Sequence, residues 1–220
     1  MIKFENFQVV GLDHAIRGMR NAMNSWDKSD SHWNYTDWDY PTYYVGENDL
    51  ELMKKLASAG TSHSKYRRAI VVYVDITAPL YWWKEFDTYK VGTVSNSCST
   101  MHKIHAKEFD IDDFSVEHLF VCDKDAVGIV TPMDVMAITI DTLNYYRQKF
   151  IETGDKDYWW QMIQLLPSTY NQKRSIVMNY EVLANIYETR ENHKLDEWRH
   201  LCKWIEQLPW SEVITGERND

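Results

Sequence analysis

Apolar and polar side chains alternate from Phe4 to Val10, the two-residue period of a strand with one buried face. Ile16, Met19 and Met23 then fall on one side of a helix predicted over residues 13–25. From Trp26 to Val45 neither period holds, and Asp, Ser, Asn and aromatic residues surround Pro41. That stretch predicts a long surface loop, which in a compact domain is either functional or an ordered insertion or subunit contact. A helix is predicted over 48–58, capped by Asn48 or Asp49 and stopped at Gly60. Ala69 to Thr77 is β-branched and aromatic, the clearest strand signal in the chain. Pro79 suits the first turn of a helix that follows it. Beyond a Ser-rich turn, Phe120 to Cys122 reads as a short strand. A helix over 134–152 is predicted to be capped by Asp134 and stopped near Gly154, with another opening at Asp155 and ending by Pro167. The final third reads as a pair of helices between Pro167 and Leu208. The first, Met178 to Arg190, carries the stripe Val182, Leu183 and Ile186. The second starts near His193 and carries Leu195, Trp198, Cys202 and Ile205, with Asn192 as candidate cap and Pro209 as stop. No internal repeat, low-complexity segment or linker interrupts residues 1–220, so one domain is expected.

The totals narrow the function only in part. A chain of 220 residues that is 44% hydrophobic can bury one sizeable core. Its 10 Trp, 14 Tyr and 7 Phe suit cores, subunit contacts and flat ring-shaped ligands alike. A formal charge of -9 disfavours a nucleic-acid scaffold, which needs clustered cations. One small phosphate ligand is compatible with it, because a local group of Arg, Lys and amide donors suffices. Cys98, Cys122 and Cys202 form no CxxC pair, which argues against a disulfide framework or a structural zinc site. The start MIKFENFQVV has no signal-peptide pattern, and no run reaches the roughly 20 apolar residues of a membrane span, so a soluble cytoplasmic protein is expected.

Residues eleven apart on an α-helix return to nearly the same face after three turns. Asn179 and Arg190 are therefore expected on one side, at the two ends of the stripe Val182, Leu183 and Ile186. By periodicity alone this describes an ordinary amphipathic helix with polar ends. In detail, MNYEVLANIYETRENHKLDEWR resembles the C-terminal signature of the flavin-dependent thymidylate synthases: Asn, Arg, a second Asn, Leu-Arg, then His-Ala-Gln-x-Glu-Ile-Arg. Asn179 and Asn185 stand at the family spacing, Arg190 keeps the arginine, and His193, Glu197 and Arg199 match the run that follows with one residue fewer between. Leu166-Pro167 precedes Asn179 at the right distance. An earlier segment, TAPLYWWKEFDTYKVGTVSNSCSTMHKIHAKEF, resembles the family stretch from Ala-Pro through Arg-His-Arg to Ser-Asn-Glu-x-Ser-x-Arg-Tyr. Ala78-Pro79 matches, Thr88, Tyr89 and Lys90 stand at Arg-His-Arg, and Asn96 and Ser99 match after one inserted residue. Lys107-Glu108-Phe109 is similar to the family's Glu-Phe. The likeness runs in the correct order from residue 11 to 208.

The resemblance implies a mixed α/β (α+β) domain with a twisted sheet flanked by helices. It also implies a homotetramer that binds FAD and deoxyuridylate, takes carbon from methylenetetrahydrofolate, and uses a reduced nicotinamide cofactor as reductant. Glu85, Lys90, Ser99 and Arg190 would then hold the nucleotide, and Thr88, Tyr89, Asn96, Asn179, Asn185 and His193 the flavin. Arg190 would stabilise charge on the pyrimidine oxygen, the catalytic role; Ser99 lacks a neighbouring base and would be a binding hydroxyl. The sequence departs from the family at Thr88, Tyr89, Ser97 (a Glu position), Met101 (an Arg position), Ile163 (a phosphate-binding Arg position) and Glu181 (an Arg position). A hydrogen bond to a charged group contributes about 1.5–3 kcal/mol, so three lost arginines would weaken nucleotide binding on the order of a thousandfold unless Lys90, Lys103 or Arg174 compensates. A second reading is therefore a non-catalytic or altered-specificity homologue that keeps the scaffold. A third is an unrelated helical interaction protein, with no sheet containing Ala69 to Thr77 and no cleft near Arg190.

Two rival constellations carry less. His193, Glu197 and His200 share a helical face and have metal-ligand character, but a solvated polar face opposite Leu195, Trp198 and Cys202 explains them better. Cys98 near His102 and His105 has the makings of a thiol nucleophile, yet no third orienting group is identifiable, and an ordinary Ser-rich turn is the better reading.

Overall fold

The computed structural model describes residues 2–35, 41–122 and 128–216. In chain order the elements are β1 (Lys3–Val10), α1 (Leu12–Arg20), β2 (His32–Asn34), β3 (Thr42–Tyr44), α2 (Glu47–Ser58), β4 (Val71–Pro79) and α3 (Leu80–Phe86). Then come β5 (Val94–Ser97), α4 (Thr100–Lys103), α5 (Pro132–Thr153), α6 (Lys156–Leu165), β6 (Asn171–Asn179), α7 (Tyr180–Arg190), α8 (Asp196–Ile205) and α9 (Glu212–Thr215). Four strands form one sheet in the order β1-β4-β6-β5, and β2 pairs antiparallel with β3, Trp33 opposite Tyr43. The fold is mixed α/β, as expected, and the strand expected at 69–77 is β4. Among the described residues no helix is long and apolar enough to cross a membrane.

The chain forms two compact units. The first comprises Met1–Lys3, Ile76–Thr88 and Asn96–Arg174, the second Phe4–Asp75, Tyr89–Ser95 and Ser175–Asp220. In the first, α5 and α6 enclose an apolar cluster of Ile104, Phe109, Phe114, Met136, Leu143 and Met162, with Ile163 packed against it. Thr131 opens α5 with a capping box: its hydroxyl accepts from the Asp134 amide while Asp134 accepts from the Thr131 amide. Asp134 thus completes the cap three residues inside the helix instead of starting it. Trp82, Trp83 and Phe86 are buried on α3, the rings of Trp82 and Phe86 stacked 5.0 Å apart. Phe120 to Cys122 belongs to no strand; Phe120 is 63% exposed.

In the second unit α1 ends at Arg20, five residues earlier than its pattern predicts. Its buried face is Leu12, Ala15, Ile16 and Arg20, whereas Met23 is 82% exposed just before a left-handed residue, Asn24. The cause is electrostatic: Arg20 Nε donates to Asp49 at 2.5 Å, with both side chains buried, and that pairing fixes where the helix must stop. Asp49 also accepts from Ser29 Oγ (2.6 Å) and Ser31 Oγ (2.7 Å). The described part of the expected loop is therefore stapled to Asp49 at Ser29 and Ser31 and carries β2 and β3; residues 36–40 lie outside the described residues. Neither Asn48 nor Asp49 caps α2. The carboxylate of Asp30 accepts from both of their amides, at 3.0 and 3.2 Å, reaching in over Gly46. A Cβ at 46 would lie 2.1 Å from the Asp30 carboxyl carbon, so only glycine admits this cap.

The largest correction is at β6, which occupies part of the stretch read as helical. Gln172, Ile176 and Met178 are buried on alternate positions, but polar residues on both faces of its first half mask that period. The helix α8 begins after Leu195, without a side-chain cap, and Asn192 takes no part.

Candidate functional site

The sheet delivers β6 directly into α7 at Asn179, which stays extended while its Oδ1 accepts from the Val182 amide at 3.0 Å. Asn179 is thus the N-cap of α7, and its amide oxygen is committed to the fold. Eleven residues on, Arg190 is the last residue of α7, half-buried. Its guanidinium carbon lies 4.5 Å from the Trp198 ring centroid and 5.8 Å from that of Tyr89. Arg190 Nε donates to Tyr89 Oη at 2.9 Å, and Tyr89 Oη lies 3.2 Å from Thr189 Oγ1. Trp198 is fully buried on α8, so it presents Arg190 with a fixed aromatic face, a contact worth about 0.5–2 kcal/mol.

Residues 89–95, which carry Tyr89, also approach the start of α7. Gly92 has φ +77°, and a Cβ there would lie 3.0 Å from Val182 Cγ2 and 3.2 Å from Asn179 Nδ2. One short segment therefore meets α7 near both of its ends, bringing Tyr89, Asn179 and Arg190 into a single arrangement.

Comparison with solved structures gives this arrangement its context. The fold is that of the flavin-dependent thymidylate synthases. A structure of the enzyme ThyX from Helicobacter pylori, complexed with FAD and dUMP, superposes with a TM-score of 0.67 at 18% identity, covering 98% of this chain and 97% of that one. A second structure of the same enzyme with FAD and dUMP gives 0.64 at 17%, covering 98% and 96%. The UMP/dUMP methylase PolB from Streptomyces cacaoi, bound with 5-Br UMP, gives 0.60 at 14%, covering 98% and 94%. No protein-family model matches the chain, and no curated protein matches it. A sheet containing β4 rules out the purely helical alternative.

Within this thymidylate synthase-like fold the other expected residues separate by unit. In the second, Lys90 and Asn185 are exposed; the Asn185 carbonyl accepts from Thr189 Oγ1 at 2.7 Å. His193 packs edge-on against Trp198, 6.2 Å between centroids, and its Nδ1 accepts from the Leu195 amide at 3.2 Å. In the first, Thr88 Oγ1 donates to the Glu85 carbonyl at 2.8 Å, and Ser99 Oγ accepts from the His102 amide to cap α4. Glu85 is half-buried and Asn96 lies exposed on β5. Thr88, Ser99, Asn179 and His193 thus each spend a polar atom on nearby backbone.

The replaced positions have structural duties too. Ile163 packs against the apolar cluster of the first unit. Glu181, in the first turn of α7, stands 3.9 Å from Arg67 and 3.4 Å from Ser64 Oγ. Arg174 is held by Asp87 at 2.7 Å and by Gln172 Oε1 at 2.9 Å, with its guanidinium 4.2 Å from the Trp83 ring centroid.

The rival constellations resolve differently. Among the described residues no group of three His, Cys, Asp or Glu side chains could hold a metal ion. Glu197 is buried, not part of a solvated face. Cys98 is exposed, whereas His105 packs edge-on against Phe150 at 4.9 Å. Cys202 is buried, and burial, then Glu191 and Glu206, push its thiol up to about 12, which keeps it protonated and inert. A cavity of about 940 Å³ on the second unit, lined by Lys54, Arg67, Tyr187 and Glu191 among others, involves none of the expected site residues. Sequence reasoning took Trp198 for an ordinary core position and passed over Thr189; the one available signal was an aromatic eight residues after Arg190, two helices folding back on each other.

Proposed function

We propose that the chain is a flavin-dependent nucleotide-methylating protein that binds FAD and deoxyuridylate and takes its carbon from methylenetetrahydrofolate. A reduced nicotinamide cofactor is the reductant, and the working form is a cytoplasmic homotetramer. The observation that carries this reading is Arg190 held against Tyr89 and Trp198, within a fold shared with proteins solved with FAD and dUMP.

The donor set suits a flavin. Asn179, Asn185 and His193 are amide and imidazole groups, which match a ring edge that both donates and accepts. Asn179, its Oδ1 already committed to Val182, contributes its amide nitrogen as donor. Bound flavin supplies the hydride chemistry that no side chain here provides. The chain's own part is to bind and orient. Arg190, a permanent cation restrained before any ligand arrives, stabilises charge that develops on the pyrimidine oxygen at little reorganisation cost. Lys90 and Ser99 bind the nucleotide, with Glu85 beside them in role; Thr88 and Asn96 contribute to the flavin.

A second reading is supported by specific observations. Arg174 is engaged by Asp87, Gln172 and Trp83, Ile163 belongs to an apolar cluster, and Glu181 is an acid. None of the three replaces a missing phosphate-binding cation, which favours a homologue of altered specificity or without turnover. Incubation with FAD, reduced nicotinamide, methylenetetrahydrofolate and deoxyuridylate separates the two. Thymidylate formation, and growth of a thymidine-requiring cell without thymidine, is the expected result. A flavin-loaded protein that forms none in either assay overturns the methylating reading in favour of the second.

A further inference from the structure

The hydrogens around Arg190 have a determined direction. Thr189 Oγ1 carries one hydrogen and lies 2.7 Å from the Asn185 carbonyl and 3.3 Å from that of Ile186. Carbonyls only accept, so the Thr189 hydrogen is spent within α7. Toward Tyr89, at 3.2 Å, Thr189 is then the acceptor and the phenol the donor. With its hydrogen placed there, Tyr89 Oη turns a lone pair to Arg190 Nε, which donates to it at 2.9 Å. The result is a one-way chain from the Arg190 Nε–H through the Tyr89 and Thr189 hydroxyls to the Asn185 carbonyl.

This chain does what the Trp198 face does not. Packing at 4.5 Å over the indole restrains the plane of the guanidinium, and the hydrogen bond at Nε constrains its rotation within that plane. Tyr89 also belongs to residues 89–95, which lie against the start of α7 at Gly92. The placement of that segment and the orientation of Arg190 are therefore linked through the Tyr89 hydroxyl.

We propose that Tyr89 is a positioning residue: its hydroxyl, aligned by Thr189, sets the orientation of Arg190 for the nucleotide and couples the 89–95 segment to nucleotide binding. The proposal rests on the nucleotide-binding reading of Arg190 and gives Tyr89 a role other than flavin contact. Tyr89→Phe keeps the ring, which lies 5.7 Å from Trp198, and removes only the hydroxyl that accepts from Arg190 and donates to Thr189.

The test uses the full chain, with wild type, Tyr89→Phe, Thr189→Val and Thr189→Ser compared. The readouts are calorimetric titration with deoxyuridylate, flavin content, unfolding midpoint, and solvent exchange of the Arg190 Nε–H by NMR. Tyr89→Phe should weaken nucleotide binding about tenfold, with flavin content and unfolding midpoint little changed. Thr189→Val should act in the same direction by about threefold, and Thr189→Ser should restore wild-type affinity because it returns the acceptor hydroxyl. The Arg190 Nε–H should exchange faster in Tyr89→Phe than in wild type or Thr189→Ser. Wild-type affinity together with unchanged exchange in Tyr89→Phe overturns the positioning role and leaves the parent reading intact. Lost flavin with unchanged nucleotide affinity makes Tyr89 a flavin contact and overturns it as well. Wild-type protein that takes up no nucleotide overturns the parent reading, and the positioning role falls with it.

Discussion

Replacing Asp49 with alanine is expected to be the most damaging single change outside the site. The carboxylate is fully buried, receives Arg20 Nε at 2.5 Å, and accepts from the hydroxyls of Ser29 and Ser31. Removing one partner of a buried ion pair leaves an uncompensated charge and costs about 3–5 kcal/mol. Here Arg20 would be stranded at 5% exposure, and two serine hydroxyls would lose their acceptor. With a urea slope of about 1–3 kcal/mol/M, the unfolding midpoint should fall by more than about 1 M, followed by tryptophan fluorescence. Removing both charges together, Arg20→Met with Asp49→Leu, should cost clearly less than Asp49→Ala alone. The same group gives a pH signature. Burial raises the Asp49 pKa, but hydrogen bonds from Ser29, Ser31 and Arg20 outweigh it and hold the carboxyl below its usual value. A depressed pKa contributes stability above the unfolded value of about 4, and that contribution is lost as pH falls through the folded value. The stability gap between wild type and Asp49→Asn should therefore narrow in acid below pH of about 4. An Asp49→Ala variant within about 1 kcal/mol of wild type would refute the reasoning, since exposed charge pairs behave that way.

Three further outcomes follow from the same geometry. Gly92→Ala, at φ +77° with its new Cβ 3.0 Å from Val182 Cγ2, should destabilise by about 1–3 kcal/mol in denaturant unfolding and weaken nucleotide binding, as it displaces the segment bearing Tyr89. In a thiol titration of the native protein, Cys98 and Cys122 should react promptly and the buried Cys202 only on unfolding; prompt modification of Cys202 would contradict its burial. Burial pushes Tyr66 and Cys202 each up to about 12. Raised values contribute stability that is complete below the unfolded pKa and lost as pH rises towards the folded one, so the urea midpoint should decline from about pH 8.5 upward.

Much of the fold was legible because its strongest signals are local. β4 is rich in β-branched residues, and Gly60 and Gly154 mark helix stops whatever surrounds them. The failures occurred where distant residues decide. Asp49 sets the end of α1 from 29 residues away, and the cap of α2 comes from Asp30, 18 residues before Asn48. β6 was hidden because its early positions are polar on both faces: Gln172 and Arg174 point to partners in the first unit that no local period reveals. At the site, the resemblance assigned Tyr89 to the flavin and Arg190 to the nucleotide, and the two side chains meet across 101 residues. What one-dimensional matching did not convey is how many of those polar groups serve the backbone. Ser99 and Asn179 are helix caps, and a cap is indistinguishable by residue type from a ligand contact.

Flavin binding tests the functional account most directly. Protein purified from a flavin-replete host, or mixed with FAD and freed of excess, should carry the visible absorbance of oxidised flavin, with bound FAD released on denaturation. A colourless protein that also takes up no added FAD would contradict the account at its centre.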